Sequence, residues 1–154
     1  MNILIIGCGS IGIRHLESIL KLKEEKTIYV LENNLDQQRI ISTKFNSQNV
    51  ILIKDLDRIP KDFFLIIIST PSNARYSQLE DIHSKGITSK TIILEKFLFD
   101  QIEQYRPAKQ ILQSISHNAY VNCPWRSYDG ISFLKNQISN LKFNNIQFNV
   151  SGCN

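Results

Sequence analysis

Three glycines near the start of the chain have the spacing of a phosphate-binding turn. Gly7, Gly9 and Gly12 form the pattern G-x-G-x-x-G, and Glu32 follows the last of them by 20 residues. In such a turn the first glycine allows a tight bend, the second lets a pyrophosphate approach the backbone, and the third lets the next helix pack closely. An acidic side chain at this distance meets the ribose hydroxyls. The pattern predicts a dinucleotide site, and because Glu32 would repel a 2′-phosphate, it favours NAD over NADP.

The residues around these glycines supply the elements that such a site needs. An apolar run at 3–6 predicts a buried strand, a helical pattern covers 11–22, and a second apolar strand at 27–31 ends on Glu32. Free N–H groups at the start of the helix favour a phosphate. Two alternatives stay open: a glycine turn that binds nothing, and a site for S-adenosylmethionine, which also uses an acidic residue after the second strand.

Strand-like and helical segments alternate about six times along the chain. Predicted strands cover 3–6, 27–31, 50–53, 63–68, 91–94, 119–122 and 145–150, and predicted helices cover 11–22, 35–45, 74–84, 101–116 and 129–141. Asn33 or Asn34 is expected to cap the second helix, and Pro107 must lie in the first turn of the fourth or split it. This alternation predicts an α/β fold, a doubly wound and mostly parallel sheet of the Rossmann type.

Polar residues follow several of the later strands. Because the carboxyl ends of parallel strands meet at one edge of the sheet, the loops there are expected to form the ligand site. These loops are 7–12, 32–34, 69–75, 95–97 and 122–126. They contain nearly every polar residue that suggests a function.

Taken singly, the residues outside the glycine turn are weaker signals. Pro71 fixes the exit from a strand, although it could simply start a helix. Lys96, beside Glu95, could hold or exchange a proton at a nicotinamide or a substrate hydroxyl, and the alternative is an ion pair at a strand end. Arg126 could bind a substrate carboxylate or phosphate, and the alternative is a surface arginine stacked on an aromatic ring. His15 is interpreted as a packing or capping residue.

The composition is that of one ordinary globular domain. Of 154 residues, 42% are apolar and 21% charged, and 18 basic against 14 acidic residues give a scattered net charge of +4. We therefore expect neither nucleic acid nor a membrane as a partner. The three cysteines (Cys8, Cys123 and Cys153) have no metal-ligand or paired spacing, so we expect no metal and a reduced, cytoplasmic protein without a signal peptide.

Together, the motifs resemble the N-terminal half of the glucose–fructose oxidoreductase / inositol dehydrogenase (Gfo/Idh/MocA) family. The opening G-C-G-S-I-G-I-R-H at 7–15 is similar to the family's G-x-G-S-I-G-x-R-H. The S-T-P at 69–71 matches its (S/T)-T-P loop, and Glu95-Lys96 match the first two residues of its E-K-P motif. The stretch V-N-C-P-W-R at 121–126 is similar to V-N-C-P-R-R in one branch. The resemblance covers essentially the whole chain in order.

The resemblance implies roles for particular residues. Cofactor contacts would come from the glycine turn, the acidic residue after the second strand and two later loops, namely Gly7, Gly9, Ser10, Ile11, Gly12, Glu32, Thr70, Pro71, Asn73 and Glu95. Lys96 would reach the nicotinamide end as a catalytic and substrate-binding residue, and Arg126 would lie near the substrate. Family substrates are usually sugars, sugar nucleotides or cyclitols, and the reaction is hydride transfer between a hydroxyl carbon and nicotinamide.

The chain also departs from the family pattern. Phe97 stands in place of the proline of E-K-P, and Ser72 and Arg75 stand where a T-P-N-x-x-H loop has Asn and His. Family members carry a second, antiparallel domain that forms the substrate pocket and supplies a catalytic Asp/His pair. We expect 1–122 to be an NAD(P)-binding domain, and 123–154 to be the connecting helix and first strand of a truncated substrate domain.

Three functional hypotheses follow from these patterns. The first is the nucleotide-binding half of an NAD(P)-dependent oxidoreductase, inactive alone, whose partners are a nicotinamide dinucleotide and a sugar-type substrate. The second is a non-catalytic dinucleotide-binding or interaction module, with a second copy or a missing C-terminal half as its partner. The third, a methyltransferase-like domain, fits the glycine turn but not Glu95-Lys96.

Overall fold

A computed structural model of the chain describes residues 1–46, 49–124, 133 and 136. The strands are β1 (Asn2–Ile6), β2 (Thr27–Leu31), β3 (Val50–Ile53), β4 (Asp62–Ile68), β5 (Thr88–Glu95) and β6 (Ser116–Asn122). The helices are α1 (Ser10–Leu20), α2 (Leu35–Lys44), α3 (Ser72–Ser84) and α4 (Tyr105–Ile115), and a 3₁₀ turn (Ile102–Gln104) precedes α4. The predicted helix at 129–141 and strand at 145–150 lie outside the described residues.

The six described strands form one parallel sheet in the order β3-β2-β1-β4-β5-β6. The order reverses direction between β1 and β4, which leaves a crevice at the carboxyl ends of these two strands. The predicted α/β class, with a doubly wound parallel sheet, is confirmed. The chain divides into two compact units, Met1–Asn122 and Cys123–Asn154, and all of these elements belong to the first.

Alternating side chains of the central strands build a core on each face of the sheet. Ile3 and Ile5 of β1 belong to the cluster that contains Leu16 of α1 and Ile41 of α2. The intervening β1 residues, Leu4 and Ile6, belong to the cluster on the other face, which α3 and α4 supply with Leu79, Ile82, Ala108 and Ile115. The helices therefore cover both faces and hold the strand ends in fixed register.

Local capping explains where two of the helices begin. Asn34 caps α2, because its side-chain oxygen accepts hydrogen bonds from the N–H groups of Asp36 and Gln37. Pro107 lies in the first turn of α4, where a missing N–H costs little. The cap agrees with the predicted start of the second helix, and Asn34 rather than Asn33 is the cap. The predicted start of the fourth helix at residue 101 was wrong, because the 3₁₀ turn Ile102–Gln104 comes first and α4 begins at Tyr105.

Several predicted boundaries were wrong at polar residues. β5 begins at Thr88 instead of residue 91, and β6 begins at Ser116 instead of residue 119. These polar residues extend the ladder, since Ser89 pairs with Ser116 both in register and through their hydroxyl groups. α3 begins at Ser72, directly after Pro71, and not at residue 74. An apolar pattern cannot mark strand ends or helix starts that consist of polar residues.

Candidate dinucleotide cleft

The turn between β1 and α1 requires glycine at its first position. Gly7 has a φ of +80°, a backbone conformation that residues with a Cβ rarely adopt. A Cβ there would also lie 2.5 Å from the Cγ2 of Thr70 and 3.1 Å from its main-chain nitrogen. Gly7 therefore allows the loop after β4 to approach the loop after β1.

The other two glycines of the motif have opposite surroundings. A Cβ on Gly12 would lie 2.3 Å from the carbonyl oxygen of Gly7, so α1 packs too closely on the turn for any side chain. A Cβ on Gly9 would meet nothing within 4 Å. Packing within the protein therefore explains Gly12, whereas at Gly9 the space in front of the backbone is open.

Glu32 lies beside this turn, directly after β2. Its Oε2 accepts a hydrogen bond from the N–H of Cys8 at 2.6 Å, and its Oε1 accepts one from the N–H of Asn34 at 2.8 Å. A carboxylate has about four acceptor positions, so each oxygen keeps capacity for one further donor. The carboxylate is thereby oriented before any ligand binds.

The Cys8 thiol beneath the turn is completely buried. Burial, and to a lesser extent the negative charge of Glu32, together raise the pKa of this thiol to about 12. Cys8 therefore stays protonated and acts as a small apolar group of the core.

An open cleft of about 780 Å³ extends from this turn along the carboxyl ends of the strands. Most of the predicted site residues line it, namely Gly7, Gly9, Ser10, Ile11, Glu32, Thr70, Pro71, Glu95 and Lys96. Gly12 is buried and is not among the lining residues, and Asn73 is exposed in the first turn of α3 without lining the cleft. Arg126 lies outside the described residues.

Glu95 forms a buried polar cluster at the far end of the cleft. Its Oε1 accepts a hydrogen bond from the side-chain amide of Asn122 at 2.5 Å and lies 2.8 Å from the Nε2 of His15. The Glu95 side chain is only 10% exposed and that of His15 is 21% exposed. His15 thus contacts a cleft-lining carboxylate, a role that its position in the sequence did not indicate.

Lys96 and Phe97 follow Glu95 at the rim of the cleft, and both side chains are exposed. The peptide bond between them is cis. The Lys96 ammonium forms no hydrogen bond or ion pair with the described residues, and Glu95 pairs with His15 instead. Within this part of the chain, the ion pair between Glu95 and Lys96 that the sequence left open is absent.

Arg75 joins the two loops that line this end of the cleft. Its side chain is 1% exposed, and its Nη1 donates to the carbonyl oxygens of Glu95 at 2.6 Å and Leu98 at 2.7 Å, and also to that of Phe97. Its Nη2 donates to the carbonyl oxygen of Thr70. Burial lowers the pKa of Arg75, while the charge of Glu95 opposes this effect. No sequence pattern indicates this role, because all four acceptors are main-chain atoms.

Two further features, a metal-binding cluster and a membrane-spanning helix, were sought among the described residues. They contain no group of three or more His, Cys, Asp or Glu side chains that could hold a metal ion. No helix in this part of the chain is both long and apolar enough to cross a membrane.

The model of the Gfo/Idh/MocA oxidoreductase family, a Rossmann domain that binds NAD, matches residues 1–122. The chain belongs to this family. No curated protein matches it in sequence. Family membership agrees with the parallel sheet and with the order of the motifs along it.

Solved structures of the same fold include proteins of different functions. The scyllo-inositol dehydrogenase of Lactobacillus casei, solved with NAD(H) and scyllo-inositol, has a TM-score of 0.65 at 17% identity; 90% of this chain covers 41% of that chain. The transcriptional regulator Gal80p of Kluyveromyces lactis has a TM-score of 0.71 at 15% identity, with 90% and 37% covered. The 3-ketoreductase KijD10 of Actinomadura kijaniata, solved with NADP, has a TM-score of 0.66 at 11% identity, with 90% and 43% covered. The chain therefore spans less than half the length of each protein, and the likeness is one of fold.

Proposed function

We propose that the chain binds NAD(H) in the 780 Å³ cleft, as the nucleotide-binding part of an oxidoreductase that acts on a hydroxyl of a sugar, sugar nucleotide or cyclitol. One observation carries this proposal: the space in front of the Gly9 backbone is open, and the Glu32 carboxylate beside the same turn is held by two hydrogen bonds. When bound, the nicotinamide would accept or supply the hydride. The residues of the chain would bind and orient it.

The start of α1 suits the diphosphate. Gly9 is the N-cap of α1, no side chain caps the helix, and its first turn has no acidic residue. The N–H groups of that turn therefore keep their capacity to donate to phosphate oxygens, and the helix dipole favours a negative charge there. A side chain at position 9 would fill the space that the phosphates need.

The adenosine end of the cleft favours NAD over NADP. Each oxygen of Glu32 retains acceptor capacity for one ribose hydroxyl, whereas a 2′-phosphate would meet a negative charge. The neighbouring described residues that line the cleft, Asn33, Asn34 and Gln37, are uncharged. None of these three side chains offers a positive charge to a 2′-phosphate.

Lys96 is our candidate for the residue that acts on the substrate. Its ammonium lies at the cleft rim without a partner in the described part of the chain, so it is available to donate a hydrogen bond to a substrate hydroxyl or to exchange a proton with it. We assign Arg126 to an anionic group of the substrate on the family resemblance alone. Asn73 keeps its proposed role near the middle of the cofactor on the same ground.

A non-catalytic role is the second candidate. The likeness to Gal80p, a transcriptional regulator, favours it, because the same fold there belongs to a protein with a regulatory function. The first candidate requires dinucleotide binding, whereas the second is a module that binds a dinucleotide or interacts with a partner. They differ in whether a sugar or cyclitol is ever oxidised.

Binding is tested by titrating the full chain with NADH, NADPH and S-adenosylmethionine, using NADH fluorescence and calorimetry. We expect micromolar affinity for NADH, weaker binding of NADPH, no competition by S-adenosylmethionine and negligible turnover of sugars or cyclitols by the chain alone. Glu32→Gln removes the charge that accepts from the ribose, and we expect it to raise the Kd of NADH about tenfold and to narrow the preference over NADPH.

Glu17→Gln is the matched control, because Glu17 forms an exposed ion pair with Lys44 away from the cleft. It should leave both affinities unchanged. The absence of any signal with NADH up to millimolar concentration would refute the proposed function. Turnover above background would exclude the non-catalytic candidate.

A further inference from the structure

Arg75 has an environment that stability alone does not explain. It is among the largest fully buried side chains described, burial lowers its pKa, and its Nε–H has no partner in the described structure. A buried cation is costly unless it is fully paired, and an apolar residue of similar volume usually serves a core equally well. The four hydrogen bonds of the guanidinium therefore call for a reason other than packing.

The acceptors of these bonds point to that reason. One is the carbonyl oxygen of Thr70, in the loop after β4, and the other three belong to Glu95, Phe97 and Leu98, in the loop after β5. A guanidinium is planar and rigid, so it fixes the separation of the groups that it joins. Lys96 lies between two of the carbonyl groups that Arg75 holds.

The residue after Lys96 explains why the loop after β5 needs the hydrogen bonds from Arg75. A proline at position 97 would restrict its own φ through its ring, whereas Phe97 has no such restriction and its side chain is 83% exposed. Arg75 contacts the carbonyl oxygen of Phe97 directly. The loop is therefore held from outside by hydrogen bonds to its main chain.

We propose that Arg75 is a positioning residue that joins the loop after β5 to the loop after β4 and thereby places Lys96 and the nicotinamide half of the bound dinucleotide. This inference rests on the proposed function, because it assumes that a dinucleotide lies in the cleft. It separates the two halves of the ligand: the adenosine half contacts the Glu32 side of the cleft, which Arg75 does not touch.

The test compares NADH with ADP-ribose, which lacks the nicotinamide. Calorimetry on Arg75→Met, which keeps the length of the side chain and removes its donors, should give a Kd for NADH raised about tenfold and a Kd for ADP-ribose within about twofold of the wild type. Arg75→Lys has three donors at a single point, so its Kd for NADH should lie between those of the wild type and Arg75→Met. Arg39→Met is the matched control, since Arg39 is exposed and pairs with Asp36, and it should change neither Kd.

The outcomes separate this inference from the proposed function. If the wild type binds no NADH, the proposed function fails. If the wild type binds NADH but Arg75→Met weakens both ligands equally or neither, the positioning role is refuted. If circular dichroism finds Arg75→Met unfolded, Arg75→Lys decides by the same comparison: selective loss of NADH affinity supports the role, and equal change overturns it.

Discussion

The cleft is built differently at its two ends. At the glycine-loop end, formed by 7–12 and Glu32, the surface is mainly backbone, shaped by close packing at Gly7 and Gly12. At the Glu95 end, formed by 70–75 and 95–98, the surface depends on buried charged side chains, which are Arg75 and Glu95. The shape of the first end depends on the absence of a Cβ at two glycines. The shape of the second end depends on the hydrogen bonds that the charged groups form.

This difference indicates how each end tolerates change. Backbone packing has no substitute, because an added Cβ at Gly7 or Gly12 meets main-chain atoms that cannot move aside cheaply. In a hydrogen-bonded cluster, a substitution removes the bonds of one group only, and the other hydrogen bonds can remain. We therefore expect substitutions at the glycine-loop end to have the larger effects.

The largest effect should come from a pair of glycine substitutions. Gly9→Ala fits an extended backbone with φ of −66°, and its Cβ meets no protein atom, so the free energy of unfolding should stay the same or rise. The same Cβ occupies the space that we propose for the diphosphate, and we expect the Kd of NADH to rise about a hundredfold. Gly12→Ala should instead lower the free energy of unfolding by about 1–3 kcal/mol, because its Cβ overlaps the Gly7 carbonyl oxygen.

Urea denaturation and calorimetry on both variants measure these outcomes. If Gly9→Ala bound NADH as tightly as the wild type, the open space at Gly9 would not be the diphosphate site. If Gly12→Ala were as stable as the wild type, the backbone of the turn would be able to shift and accommodate the added Cβ, and close packing would not explain Gly12.

The second effect is a pH dependence from the buried thiol of the glycine-loop end. The pKa of Cys8 is about 12 in the folded chain and about 9 in the unfolded one, so the thiol stabilises the fold fully below pH 9. As the pH rises from 9 towards 12, only the unfolded chain releases the proton, and the free energy of unfolding should fall by up to about 1.4 kcal/mol per pH unit. Cys8→Ala removes this contribution, so its stability should fall less steeply between pH 8 and 10. Equal slopes in urea denaturation would mean that the thiol titrates normally.

The smallest effect should come from the Glu95 end. Asn122→Ala removes one of the two described hydrogen-bond partners of the buried Glu95 carboxylate and should lower the free energy of unfolding by about 1 kcal/mol. Asn118→Ala on the same strand is the control, since Asn118 is exposed and its side chain does not contact Glu95. Equal losses in thermal unfolding would assign the effect to β6 as a whole.

The two ends of the cleft also differ in how much of their structure could be predicted from the sequence. The glycine turn and Glu32 were recognisable because their spacing is local and each glycine answers one steric requirement. The sheet and its helices followed from apolar runs such as 63–68, which lies in the centre of the fold. Polar starts of strands, as at Thr88 and Ser116, gave no such signal.

The Glu95 cluster was out of reach for a different reason. His15 and Glu95 are 80 residues apart, and their contact depends on how α1 packs against the sheet. Arg75 bonds only to main-chain oxygens, which every residue has, so no pattern of residue types could identify its acceptors. Sequence patterns therefore predicted that the loops after the strands lie together, but not which side chains meet there.

The contact between His15 and Glu95 also bears on the order in which the cleft forms. The Cys8–Glu32 bond closes a loop of 24 residues, whereas the His15–Glu95 bond closes one of 80. From loop length alone, the longer closure costs about 1 kcal/mol more chain entropy. The contact between the glycine loop and Glu32 needs only β1, α1 and β2, while the Glu95 end needs the sheet assembled as far as β6. As the chain is synthesised, the residues of the first end are complete long before those of the second.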